Sequence, residues 1–213
     1  MRNIFRVILV TVCAVALGYL AWGKSSAPEA VLDARDATIM LGAYDADGVF
    51  SRYCSGAFVE GRVVTAGHCV EGRAEVLIET VDHYVYRARV VRAVKAWPAV
   101  DYAVLRVDIA PGLYPSLEVG DGMVPGENLY AWSGPWGLGT LLLEGTYAGR
   151  ISDDQSVPNE IRGMHYATMN GAGGSSGSII LNEDGQAEAI LVGGFGEDSR
   201  SIRLTGSLLV GLP

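Results

Sequence analysis

The chain has 213 residues, 49% apolar and 19% charged, and a formal net charge of −8. So much apolar material supports a buried interior and excludes an intrinsically disordered chain, and the length allows one ordinary domain or two small ones sharing a core. The acidic balance, with no basic cluster longer than two residues, excludes a nucleic-acid-binding face, which needs grouped Lys and Arg to displace counterions.

Arg2 and Arg6 precede an apolar run of 16 residues, 7–22, which Gly23-Lys24-Ser25-Ser26 closes. This length fits a secretory hydrophobic region better than a full membrane span of about 20 residues, and the basic end stays cytoplasmic. Residues 1–23 are therefore expected to be a signal peptide, cut after Ala21-Trp22-Gly23 or after Ala27, or else a retained signal anchor. Either form puts the remainder outside the cytoplasm: secreted, periplasmic, or tethered to a membrane through 7–22. Cys13 lies inside the run and reads as apolar filler. Residues 24–36 read as a linker.

From Ala37 onward, short apolar or alternating runs are separated by turn residues, and no segment sustains helical periodicity. The expected strands are 37–43, 52–59, 62–65, 75–80, 84–95 and 102–107, with Glu60-Gly61 as a tight hairpin. A connector rich in Pro and Gly follows, from Ala110-Pro111-Gly112 to Pro125-Gly126, and marks the crossing between two halves, 37–115 and 116–213. The second set is 128–132, 141–151, 164–168, 178–181, 187–192 and 201–204, with Asp184-Gly185 as another hairpin. The class is all-β, and the halves show no detectable repeat.

Three motifs carry the chemistry: Thr65-Ala66-Gly67-His68-Cys69, Asp101-Tyr102-Ala103-Val104-Leu105 and Gly174-Ser175-Ser176-Gly177-Ser178. A hydroxyl attacks a carbonyl well when a base takes its proton and a carboxylate holds that base in the right tautomer. On these motifs the chain, from about Ala37 to its end, resembles the trypsin-like (chymotrypsin-fold) serine peptidases of the compact bacterial and viral type. The resemblance implies two packed six-stranded antiparallel β-barrels with the active site in the groove between them. It also implies an exported, monomeric serine endopeptidase that acts on a protein or peptide through an acyl-enzyme, with no cofactor and no metal.

By that resemblance His68 is the general base, Asp101 the orienting carboxylate and Ser176 the nucleophile. Asp82 and Asp108 are rivals to Asp101, and neither precedes the same small-then-apolar alternation. Ser175 competes with Ser176, but choosing it would put Ser176 where the following glycine belongs. The backbone N–H groups of Gly174 and Ser176 are expected to form the oxyanion hole. An isolated cysteine pair in an exported chain reads as a disulfide, and the family bridges the strand before the catalytic His to the residue just after it. Cys54 and Cys69 match, and closing their 15-residue loop stabilises by roughly 3 kcal/mol.

Specificity is read from position alone. Asn170, six residues before Ser176, falls at the floor of the family's primary pocket, with the Gly171-Ala172-Gly173-Gly174 run leaving the register open by one residue. A neutral residue there argues against Lys or Arg and for a medium apolar or uncharged polar side chain. Gly194-Phe195-Gly196 resembles the segment that pairs with substrate backbone as an added strand, Phe195 forming a pocket wall. No Ile-Val-Gly-Gly-like start exists, so activation by a freed N-terminus is not expected. Asp45-Ala46-Asp47-Gly48 lacks the other ligands of a calcium loop and reads as a solvated turn, and His83 and His165 read as strand residues without zinc spacing. Residues 207–213 are too short for the family's C-terminal helix, so the second barrel is expected to close differently there. The competing reading is a catalytically silent, membrane-anchored peptide-binding protein on the same scaffold. Such proteins usually lose a triad member or the oxyanion glycine, and this chain keeps both.

Overall fold

The computed structural model describes residues 27–195 and 206–212. The expected signal segment, Cys13, Gly196 and the expected strand 201–204 lie outside the described residues.

Short apolar strands close into two six-stranded antiparallel barrels. The first comprises β1 (Thr38–Tyr44), β2 (Phe50–Val59), β3 (Arg62–Thr65), β4 (Glu75–Thr80), β5 (Val85–Ala96) and β6 (Val100–Val107), closed in the order β1-β2-β3-β6-β5-β4. The second comprises β7 (Asn128–Ser133), β8 (Leu141–Arg150), β9 (His165–Ala167), β10 (Ile179–Leu181), β11 (Ala187–Phe195) and β12 (Gly206–Gly211). Its closure, β10-β11-β12-β9-β8-β7, repeats the order of the first although the sequences do not repeat. Glu60 and Gly61 both take positive φ, 47° and 74°, the geometry a two-residue hairpin needs to match strand twist.

The core follows the barrels. One buried cluster fills the first barrel and continues through Tyr130, Met164, Ile179, Ile190 and Val210, while a second sits inside the other barrel around Leu129, Met169, Ile180, Leu191 and Leu209. The connector touches both barrels: Leu117 N–H donates to Phe58 O (2.9 Å), and Ala187 N–H donates to Glu118 O (2.8 Å). These bonds hold the barrels at a fixed separation, which a site shared between them requires.

Three expectations need correction. The stretch read as a linker is instead α1 (Glu29–Asp33), continued by a 3₁₀ turn (Ala34–Ala37). Val31 is fully buried, and its carbonyl accepts a 2.7 Å hydrogen bond from Trp132 Nε1–H, so apolar burial on β7 orders the segment. The last strand is Gly206–Gly211, formed by the residues judged too short for a helix; they pair with both β11 and β9 and so close the second barrel. His83 is on the β4–β5 turn with φ +66°, not in a strand.

Candidate active site

His68 lies in a 3₁₀ turn (Gly67–Val70) that leaves β3. The turn can pack only because position 67 lacks a side chain: a Cβ there would meet Val94 O at 2.5 Å and Asp101 Oδ1 at 2.8 Å. The Cys54–Cys69 disulfide, with Cα atoms 6.1 Å apart, ties the residue after His68 to β2. The disulfide sulfurs and the His68 ring form the one cluster of three potential ligand groups among the described residues, but sulfurs bonded to each other are not thiolate ligands for a metal.

Asp101, near the start of β6, is fully buried. Its Oδ2 accepts from His68 Nδ1–H at 2.6 Å and its Oδ1 from the His68 backbone N–H at 2.9 Å. A carboxylate only accepts, so this pairing fixes the ring proton on Nδ1 and leaves Nε2 with its lone pair. The rivals do not meet the histidine. Asp82 is exposed and bonded to Thr80 and Tyr114, and Asp108 is exposed.

Ser176 comes from the other barrel, on the turn before β10. Its carbonyl accepts the Ser55 N–H from β2 at 2.8 Å and lies 3.7 Å from the Cys69 sulfur. Gly177, at φ +88°, lies against the residues that precede His68; a Cβ there would meet Ser55 O at 2.1 Å and Ala66 N at 3.0 Å. The nucleophile turn and the histidine turn therefore abut across the barrel boundary. The structure records no hydrogen bond between the Ser176 hydroxyl and the His68 ring, a contact that commonly closes only when substrate is seated.

The Gly-rich loop before Ser176 is internally tied. Ser175 is fully buried; its N–H donates to Ala172 O (2.9 Å) and its Oγ accepts from Ala172 N–H (3.2 Å). Gly174 has φ +94°, and a Cβ there would meet Gly134 O at 2.4 Å. Neither the Gly174 N–H nor the Ser176 N–H donates a hydrogen bond among the described residues. Two free donors two residues apart, beside a hydroxyl, can stabilise an oxyanion.

The specificity residues stand differently. Asn170 is exposed, and its side chain makes no hydrogen bond among the described residues. Counting back from Ser176 fixes its place in the chain but not its burial. Gly194 is exposed near the end of β11, and Phe195 ends that strand.

Sequence reasoning missed polar residues that tie elements together around the site. Arg52 on β2 pairs through Nε and Nη2 with both oxygens of Glu79 on β4, and its Nη1 reaches Gly137 O at 3.4 Å on the β7–β8 loop. Burial raises the Glu79 carboxyl, but the hydrogen bonds and charges of Arg52 and His83 outweigh it and hold the group below its ordinary value. On the second barrel, burial first and the Arg150 charge second hold the His165 ring below its ordinary value, with Tyr147 Oη at 2.5 Å from its Nδ1.

A trypsin-like peptidase domain profile matches residues 54–190, a span that contains all three motifs. The chain belongs to the trypsin-like peptidase family. No curated protein matches it in sequence. Among solved structures, the HtrA-type protease AlgW with tripeptide is similar at a TM-score of 0.66 and 22% identity, over 84% of this chain and 58% of that one. The same protease with decapeptide gives a TM-score of 0.67 and 20% identity, over 84% and 62%. At these identities the likeness is one of fold, and the chain spans about three-fifths of the length of those proteases. For this trypsin-like peptidase domain, then, fold and family rest on profile and architecture, and chemistry on the geometry of the groove.

Proposed function

We propose that the protein is an exported serine endopeptidase that hydrolyses peptide bonds through an acyl-enzyme on Ser176. In this reading His68 Nε2 takes the Ser176 hydroxyl proton as Oγ attacks the scissile carbonyl. The imidazolium that forms is stabilised by Asp101, and the Gly174 and Ser176 N–H groups hold the oxyanion. His68 then gives its proton to the leaving amine, and water, activated by the same ring, releases the acid. The observation that carries the reading is the buried Asp101 bonded to both Nδ1–H and the backbone N–H of His68, across the barrel boundary from a loop with two uncommitted donors.

Residues 37–115 supply the base and the carboxylate, and 116–213 supply the nucleophile and oxyanion donors. The substrate class is protein or peptide, in keeping with the peptides bound by the HtrA-type neighbours. An exposed, neutral Asn170 offers no buried anion to a basic side chain, which supports a preference other than Lys or Arg. A disulfide beside His68 suits an oxidising compartment, and 7–22 would serve as signal or anchor.

The test is a cleavage profile over a diverse peptide library with the disulfide intact. Cleavage by the wild type at uncharged residues, and none by Ser176→Ala, is expected. Absence of hydrolysis across the library would overturn the reading and favour peptide binding without catalysis.

A further inference from the structure

Ser55, on β2 next to Cys54, is fully buried; besides a longer 3.5 Å contact from its hydroxyl to Met40 Sδ on β1, it makes four hydrogen bonds at the barrel boundary. Its N–H donates to Ser176 O (2.8 Å), and its carbonyl accepts from Thr65 Oγ1 (2.6 Å). Its hydroxyl donates to Gly174 O (2.9 Å) and accepts from Gly134 N–H (3.0 Å). The side chain therefore bonds the second barrel twice, once at the glycine whose N–H is free and once at the start of the β7–β8 loop.

That loop holds the neighbouring peptide. Trp136 N–H donates to Gly173 O at 2.5 Å, and Trp136, its side chain exposed, sits at φ +51°, a conformation rare for a bulky residue. In a trans peptide the C=O and N–H point in opposite directions. With Gly173 O committed to Trp136, the Gly174 N–H must face the other way. With Gly174 O committed to Ser55, the next peptide plane is fixed as well. Gly174 lacks a Cβ and can rotate freely between these two planes, so the two clamps, not the residue itself, set the direction of its N–H.

We infer that Ser55 is a positioning residue for the oxyanion hole, its one hydroxyl bracing Gly174 directly and the Trp136 clamp through Gly134. The inference rests on the peptidase reading above. Ser55 does not touch substrate. It acts by preventing the 173–174 peptide from turning its oxygen, a repulsive group, to where negative charge develops.

Removing the hydroxyl should therefore weaken transition-state binding and leave ground-state binding alone. Losing one oxyanion donor outright costs about 10²–10³ in rate, so a donor that is present but no longer held should cost about 10–100-fold. The experiment compares wild type with Ser55→Ala for kcat and KM on a cleaved peptide, and for Ki of the matching peptidyl aldehyde, whose hemiacetal carries the oxyanion. The expected result is kcat down about 10–100-fold, KM within about twofold, and Ki raised in step with kcat/KM. A kcat within about threefold of wild type, a loss confined to KM, or an unchanged Ki would overturn the inference. Ser55→Thr against Ser55→Val removes packing from the comparison, because the two match in shape and differ by the hydroxyl; equal kcat values for this pair would also overturn it, even if Ser55→Ala fails to fold. A wild type that cleaves nothing refutes the peptidase reading instead. The positioning role is then read from the Gly174 amide resonance, which Ser55→Ala must shift; an unmoved resonance contradicts it.

Discussion

Asp101→Asn tests the base-orienting geometry with almost no change in shape. Asp101 presents two acceptor oxygens, one to the His68 backbone N–H at 2.9 Å and one to Nδ1–H at 2.6 Å, and no water reaches it. Asn has one oxygen and one NH₂. The backbone N–H has no tautomer and must keep the oxygen, so the NH₂ faces Nδ1. The ring then accepts at Nδ1 and carries its proton on Nε2, where it cannot take the Ser176 proton. A wrong tautomer of this kind costs about 10⁴ in kcat, or about 5.4 kcal/mol at 1.36 per decade. The assay is kcat/KM on a library-derived peptide at pH 8, with a thermal melt to show that the fold persists. Asp108→Asn, at an exposed carboxylate distant from the ring, serves as the control and should leave activity unchanged. A loss smaller than about tenfold in Asp101→Asn would refute the reasoning.

Replacing Cys54 and Cys69 together by Ala frees a 15-residue loop and should lower stability by roughly 3 kcal/mol, read as a lower melting temperature. Because Cys69 adjoins His68, activity should fall at temperatures where the variant is still folded. Glu79, held below its ordinary value, contributes stability that is present above the unfolded value near 4.5 and lost as pH falls through the lower folded value. Melting temperatures of wild type and Glu79→Gln should therefore differ at neutral pH and converge in acid; a constant gap would contradict the assignment.

Much of the fold was legible because turn residues punctuate short apolar runs. β3 and β4 fall on 62–65 and 75–80 as read, and the Glu60-Gly61 turn follows from local backbone preference. What failed lacked that signal. α1 has five residues and one buried side chain, too short for helical periodicity to register, and tertiary burial on Trp132 orders it. β12 runs through Ser207-Leu208-Leu209-Val210, a short apolar run that periodicity alone does not assign to a strand.

In the site, local sequence marked the His68-Cys69 turn and the strand that carries Asp101, and the fold brings the two together. The supports were invisible for the opposite reason. Ser55 reaches Gly174 across 119 positions and Arg52 reaches Gly137 across 85, contacts that only barrel packing creates. Asn170 shows the limit of counting along a chain, since a register says nothing of burial.

The most direct test is labelling of the oxidised protein by a fluorophosphonate probe, with the modified residue located by peptide mass mapping. One adduct on Ser176, absent in Ser176→Ala, is the predicted result. Undiminished labelling in Ser176→Ala, or an adduct on Ser175, would contradict the account.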